Sequence, residues 1–154
     1  DGQVKSYMAQ LGRTGQYHVG EKLKDKLARV FSAGYCDDTQ TKAVIGRMWK
    51  EHRYLIDPHT AVAFDVLDQY RRETGDETPT LVVSTASPFK FCDSVLEALG
   101  ENRLAQGTEL IDQLSQVTGV PAPAPLAALK DKTVRFTQST EKERMVEQVL
   151  EMLR

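Results

Sequence analysis

The first half of the chain places apolar residues at every third or fourth position, the period of an α-helix. Four successive segments show this pattern, which predicts four amphipathic helices within residues 1–77. Their apolar stripes are Val4, Tyr7, Met8 and Leu11; Leu23, Leu27, Val30 and Phe31; Thr41, Val44, Ile45, Met48, Trp49 and His52; and Val62, Ala63, Val66, Leu67 and Tyr70.

Residues that favour helix ends lie between these segments. The glycines placed to end the first, second and fourth helices are Gly12, Gly34 and Gly75. Gly34 is expected to do so in the left-handed conformation. Asp37 or Asp38 can cap the third helix, and Asp57 followed by Pro58 is typical of a helix start.

Beyond residue 77 the period changes, and the pattern predicts strand, helix, helix, strand and helix over residues 78–154. Residues 80–84 are rich in β-branched side chains and apolar on both faces, which indicates a strand of a parallel sheet. Residues 133–137 alternate like a second strand. The two helices between these strands are expected to end at Gly100 and Gly119.

The remaining local signals concern residues 120–125 and the last helix. The three prolines of residues 120–125 predict an extended connector, since each lacks an N–H group and restrains its predecessor. Thr140 and Glu143 match a capping box for the last helix. The whole pattern predicts a helix-rich α/β fold with about seven helices and two short strands.

Two strands are too few for a stable sheet. The chain also begins with Asp1 rather than Met. We therefore expect residues 1–154 to form a single region that completes a sheet lying mostly elsewhere, in a chain cut from something longer.

Composition narrows the function classes. The 154 residues are 40% hydrophobic and 27% charged, which fits a folded domain rather than a disordered chain. Twenty Lys and Arg residues against 22 Asp and Glu residues give no electrostatic footprint for nucleic acid or an anionic membrane. Two cysteines and three scattered histidines predict neither a disulfide framework nor a metal site, but reduced thiols in a cytoplasmic protein.

The first candidate site is the carboxyl end of the predicted strand at residues 80–84. Ser84, Thr85 and Ser87 offer hydroxyl groups where ligands bind in open parallel sheets. Such groups suit an anion or a neutral acceptor such as a ring nitrogen. Alternatively, Ser87 caps the following helix and Thr85 satisfies backbone groups of the turn.

The second candidate is the pair Asp57 and His59, which could act as an acid and a base. They lie two residues apart at a helix start, where Asp57 is more simply a cap and His59 a structural residue. Lys90 and Lys5 are further candidates, as phosphate contacts, although single lysines are usually solvated.

Two motifs give the chain a family resemblance. Residues 54–63 (Tyr-Leu-Ile-Asp-Pro-His-Thr-Ala-Val-Ala) resemble the DPHTAVA element near the C-terminus of threonine synthases. About twenty residues later, residues 83–91 (Val-Ser-Thr-Ala-Ser-Pro-Phe-Lys-Phe) resemble a second element of that family. This element reads Thr-Ala, then Ser or His, then Pro, any residue, and Lys-Phe. The resemblance is strongest over residues 31–99.

The resemblance implies a pyridoxal-phosphate enzyme of fold type II, with the α/β architecture of tryptophan synthase β chains. Such a lyase converts O-phospho-L-homoserine and water to L-threonine and phosphate, and a lysine holds its cofactor as a Schiff base. In this family the pyridine nitrogen typically meets a Ser or Thr hydroxyl, and the matching position is Thr85. The resemblance implies no catalytic residue in this chain.

The departures from the family suggest a C-terminal fragment. The Schiff-base lysine motif and the Gly-rich loop for the cofactor phosphate, both N-terminal in the family, are not found in this sequence. We therefore expect the chain alone to lack bound cofactor and turnover and to need the missing N-terminal region as its partner. We also expect it to self-associate or rearrange locally at its unpaired strand. The alternative is a stand-alone binding or regulatory module without catalysis. A lysine-bearing region encoded upstream in frame would favour the enzyme.

Overall fold

The computed structural model describes residues 1–153, and within them it contains eight α-helices, three 3₁₀ helices and no β-strand. The α-helices are α1 (Gly2–Thr14), α2 (Glu21–Ala28), α3 (Asp38–His52), α4 (Pro58–Thr74), α5 (Cys92–Ala98), α6 (Glu109–Thr118), α7 (Ala124–Ala127) and α8 (Met145–Met152). The 3₁₀ helices are Pro88–Lys90, Ala128–Asp131 and Lys142–Arg144. The chain divides into two units, Asp1–Ser87 and the residues from Pro88 onward.

The centre of the first unit is the pair of helices α3 and α4. Their apolar faces meet over a small core of Val44, Ile45, Ile56 and Ala61. Asp37 begins α3 as a capping box: its carboxylate accepts the backbone N–H of Gln40, whose side chain accepts the N–H of Asp37. An ion pair of 2.6 Å between Arg47 and Asp68 joins the two helices at the surface.

Helix α3 ends at an arginine in an uncommon conformation. Arg53 has a φ of 51°, in the left-handed region, and its backbone N–H donates to the carbonyl of Trp49 at 3.0 Å. Its guanidinium lies over the indole ring of Trp49, 5.4 Å from the ring centroid. This stacking gives the left-handed cap a contact that a glycine could not make.

The second unit is built around α5 and α6. Its buried side chains are Phe89, Cys92, Val95, Leu96, Ile111 and Leu114. The thiol of Cys92 donates to the carbonyl of Phe89 at 3.2 Å, which ties the start of α5 to the preceding 3₁₀ helix. Burial raises the pKa of this thiol to about 11, so Cys92 is a packed structural residue.

Both predicted strands are wrong over the residues that the structure describes. Residues 80–84 and 133–137 carry no strand hydrogen bonds, and Leu81 and Val83 are 87% and 66% exposed. A β-branched sequence fits a pleated, half-buried surface, but it becomes a strand only when a neighbouring strand supplies backbone partners. No segment among the described residues does so.

Several predicted helix ends also differ from the structure. Gly12 lies inside α1, which continues to Thr14. Gly34 does not have a positive φ and lies beyond the end of α2. Residues 120–125 are extended only up to Pro123, because a proline is tolerated in the first turn of a helix and α7 begins at Ala124.

The capping box predicted at Thr140 and Glu143 is wrong as well. The 3₁₀ helix Lys142–Arg144 occupies that position, and α8 begins only at Met145. By contrast, Asp57-Pro58 starts α4 as predicted, and Gly75 and Gly119 end α4 and α6. The eight α-helices compare with about seven predicted, and the short α7 is the additional one.

Candidate functional site

Asp57 is the central residue of the candidate site and is completely buried, with an exposed fraction of 0%. The Asp-Pro pair produces its position, since Pro58 takes the first helical position and leaves Asp57 as the N-cap of α4. Carboxylate atom Oδ1 accepts the backbone N–H of His59 at 2.9 Å, and Nδ1 of the His59 ring lies 2.9 Å from the same oxygen.

The second carboxylate oxygen of Asp57 faces the hydroxyl of Thr60. Thr60 Oγ1 donates to Asp57 Oδ2 in a short hydrogen bond, and it also lies 3.0 Å from Ser84 Oγ. An ionised carboxylate can only accept, so the single proton of Thr60 points to Asp57, and Ser84 donates to Thr60. We call Asp57, Thr60 and Ser84 the hydroxyl relay.

The electrostatics of Asp57 follow from these contacts. Burial acts to raise the pKa of its carboxyl group, but the hydrogen bonds from Thr60 and His59 outweigh it and hold the pKa below the ordinary value. The carboxylate is therefore ionised at neutral pH, which is the state from which the direction of the hydroxyl relay follows.

Thr85 follows the hydroxyl relay directly in sequence. Its side chain is exposed, and its hydroxyl group has no hydrogen-bond partner among the described residues. Ser87 is half-buried and precedes the 3₁₀ helix Pro88–Lys90, while α5 begins only at Cys92 with Phe91 at its N-cap. The structure thus ties down Ser84 and leaves the hydroxyl of Thr85 available.

The other candidate residues are more solvated. The side chain of His59 is 62% exposed, although its ring contacts Asp57. Lys5 pairs with Asp1 at 3.4 Å on an open helix surface. Lys90 is exposed and borders a groove of about 400 Å³ in the second unit, beside Asp93 and Thr108.

A family model described as "Threonine synthase, C-terminal" matches residues 60–150, which include Thr60, Ser84, Thr85 and Lys90. The chain belongs to the threonine synthase family.

Individual relatives agree with this assignment. Threonine synthase-like 1 of Mus musculus is 34% identical over 113 residues, which are 71% of this chain and 15% of that protein. Threonine synthase of Corynebacterium glutamicum is 39% identical over 71 residues, which are 46% of this chain and 14% of that protein. The chain therefore spans about a seventh of the length of these curated relatives.

A solved structure extends the likeness to the fold. The crystal structure of pyridoxal-phosphate-bound threonine synthase from Brucella melitensis superposes with a TM-score of 0.68 and 29% sequence identity, over 98% of this chain and 28% of that one. Nearly all of the present chain thus corresponds to a little over a quarter of a threonine synthase that binds this cofactor.

Neither a metal-binding cluster nor a membrane-spanning helix is found in the described part of this threonine synthase family member. No group of three or more His, Cys, Asp or Glu side chains among residues 1–153 is arranged to hold a metal ion. Over the same residues, no helix is both long enough and apolar enough to pass through a membrane.

Sequence reasoning identified Asp57, His59, Ser84 and Thr85 as two separate candidate sites. The structure joins them, because Thr60 contacts both Asp57 and Ser84. Thr60 was not singled out by the sequence. Its signals were membership of the Asp-Pro-His-Thr-Ala-Val-Ala element and its place three positions after a helix-capping aspartate, and neither specifies a contact with Ser84.

Proposed function

We propose that this chain is the C-terminal portion of a pyridoxal-phosphate-dependent threonine synthase. The longer enzyme would convert O-phospho-L-homoserine and water to L-threonine and phosphate. The match of residues 60–150 to the C-terminal family model and the likeness to the Brucella melitensis enzyme support this function. The Schiff-base lysine and the cofactor-phosphate loop would lie in the rest of that protein, so the chain alone is inactive.

Thr85 is the residue of this chain that would contact the cofactor. The pyridine nitrogen of pyridoxal phosphate is a neutral acceptor, and the Thr85 hydroxyl group is an exposed donor without a partner among the described residues. The availability of this hydroxyl, next to the anchored Ser84, is the observation that carries the proposal.

The cofactor, when bound, supplies an electron sink for carbanions formed on the substrate. Thr85 would donate a hydrogen bond to the ring nitrogen and orient the ring. Because a hydroxyl is neutral, this contact leaves the nitrogen without a proton and moderates the electron sink. Lys90, exposed on the 3₁₀ helix Pro88–Lys90, is a weaker candidate for contact with the substrate phosphate.

The test compares Thr85→Val with Thr85→Ser in the full-length enzyme. Loss of one hydrogen bond predicts a dissociation constant for pyridoxal phosphate raised by about 3- to 10-fold, and a lower kcat. Thr85→Ser keeps the hydroxyl group and should retain most of both. Unchanged cofactor affinity and turnover in Thr85→Val would contradict the proposed role of Thr85.

A further inference from the structure

A chain of hydrogen bonds leads from a buried charge to the residue before Thr85. Asp57 and Thr60 are 0% and 2% exposed, whereas Ser84 is exposed. The contact between Thr60 and Ser84 spans 24 positions of sequence and joins α4 to a segment without regular structure. The side chains of residues 81–86 make no other hydrogen bond to α4 within the described part of the chain.

The two oxygens of Asp57 perform different tasks. Oδ1 accepts the N–H of His59 and so caps the helix. Oδ2 accepts the hydroxyl group of Thr60 and so orients that hydroxyl toward the carboxylate. Thr60 must then accept from Ser84, so the buried charge fixes the direction of every proton in the hydroxyl relay.

We propose that Asp57 is a positioning residue of the enzyme, acting through Thr60 and Ser84 to fix the direction in which Thr85 presents its hydroxyl group. The inference rests on the proposed role of Thr85 at the cofactor ring. The hydrogen bond to Thr60 restrains Ser84 against α4 and so limits the positions that the neighbouring Thr85 hydroxyl can take. A small misplacement of such a group is costly in catalysis.

Substituting Asp57 by Asn isolates the relay from the cap. Asn is also a good N-cap residue, and its carbonyl oxygen can still accept from His59. Its NH₂ group then replaces Oδ2 and donates to Thr60, so that Thr60 donates to Ser84 instead. The variant keeps the helix start and reverses the relay.

The experiment uses the full-length enzyme with Ser84→Ala, Asp57→Asn and, as a control, Thr80→Val. Ser84 is exposed, so Ser84→Ala removes the tie without burying an unpaired group. Thr80 carries an exposed hydroxyl in the same segment, outside the relay, and it accepts from Arg71 of α4 at 3.5 Å. Thr80→Val therefore removes a contact with α4 that does not involve the relay. The readouts are the dissociation constant for pyridoxal phosphate, the absorption maximum of the bound cofactor, kcat, KM and the melting temperature.

The proposal predicts that Ser84→Ala raises the cofactor dissociation constant and lowers kcat by about 3- to 10-fold, the range of one lost hydrogen bond. Asp57→Asn keeps a hydrogen bond between Thr60 and Ser84 but replaces a charged acceptor by a neutral group, so it should change both quantities in the same direction by a smaller factor. Both should shift the cofactor absorption maximum and leave KM nearly constant. Ser84→Ala should also leave the melting temperature nearly constant, whereas Asp57→Asn should lower it at neutral pH, because ionised Asp57 stabilises the fold. Ser84→Thr restores a hydroxyl group and should recover most of the loss. Thr80→Val should behave as wild type.

A double-substitution cycle with Thr85→Val decides whether the effect passes through Thr85. In the Thr85→Val background, Ser84→Ala and Asp57→Asn should have almost no further effect, because positioning matters only for a hydroxyl group that is present. The inference would be overturned if Ser84→Ala and Asp57→Asn had the same effects in the Thr85→Val background as in the wild type. It would also be overturned if both single variants behaved as wild type while Thr85→Val was defective. If Thr85→Val itself behaved as wild type, the proposed role of Thr85 would be wrong, and the inference would fall with it.

Discussion

The backbone of Gly34 lies against the side chain of Val66 so closely that a Cβ atom on Gly34 would be 3.0 Å from Cγ1 of Val66. The neighbouring carbonyl of Tyr35 accepts a hydrogen bond of 3.0 Å from the Gln69 side chain. The segment after α2 is thereby laid along α4. The glycine is needed for close approach, whereas the sequence pattern had predicted it as a left-handed helix end.

Gly34→Ala should destabilise the protein by about 1 kcal/mol, since Val66 must move a few tenths of an ångström to admit the methyl group. The free energy of unfolding, from urea denaturation followed by circular dichroism, measures the effect. Wild-type stability of this variant would show that Val66 yields at no cost.

Gly12→Ala is the matched control for that experiment. Gly12 lies within α1, and nothing is within 4 Å of the position that its Cβ would take. Alanine in a helix interior is favoured over glycine by about 0.8–1 kcal/mol, so this variant should be more stable. Opposite signs for the two substitutions are the expected pattern.

The acid stability of the protein should depend on Asp57. Its pKa in the folded state is below the value of about 3.9 in an unfolded chain, because the hydrogen bonds of Thr60 and His59 favour the ionised form. Ionised Asp57 therefore stabilises the fold fully above about pH 4. This contribution disappears as the pH falls through the folded-state pKa.

Asp57→Asn removes this titration and should flatten the decline in stability below pH 4. Urea denaturation at a series of pH values from 2 to 7, wild type against Asp57→Asn, measures the difference between the two curves. Parallel curves across that range would mean that Asp57 titrates alike in both states, contrary to its burial and partners.

The two cysteines should differ in reactivity. With its pKa at about 11, the Cys92 thiol is ionised to roughly one part in a thousand at pH 8, and it is buried. Cys36 is only half-buried, and its thiol lies 3.2 Å from the Thr41 hydroxyl. Under native conditions, iodoacetamide should alkylate Cys36 first, and Cys36→Ser should leave almost no reactive thiol. Peptide mass spectrometry detecting equal alkylation of both cysteines would contradict this.

The isolated 154-residue chain is expected to self-associate. Leu81 and Val83 are 87% and 66% exposed in a segment whose backbone groups have no strand partner among the described residues. Such a segment is a template for pairing with another copy. Sedimentation velocity should show mass rising with concentration, and Leu81→Lys should weaken the association. A monomer at every concentration would count against the prediction.

Several helix ends could be predicted from the residues next to them in the sequence. Asp57-Pro58 predicted the start of α4, Gly75 predicted the end of α4, and Gly119 predicted the end of α6. These predictions succeeded because caps depend on a few adjacent residues. Residues 80–84 failed as a strand because strand formation needs a partner that no local pattern specifies. The contact of Thr60 with Ser84 was not predicted for the same reason, since the two residues meet only after folding.

Trp49, on which Arg53 stacks, offers a way to follow the unfolding of one unit. Trp49 is the only tryptophan of the chain, and it belongs to the first of the two units. Indole emission excited near 295 nm therefore records unfolding of that unit, whereas far-ultraviolet circular dichroism sums the helices of both. Transitions that coincide would show the two units melting together, and transitions that separate would give each its own stability.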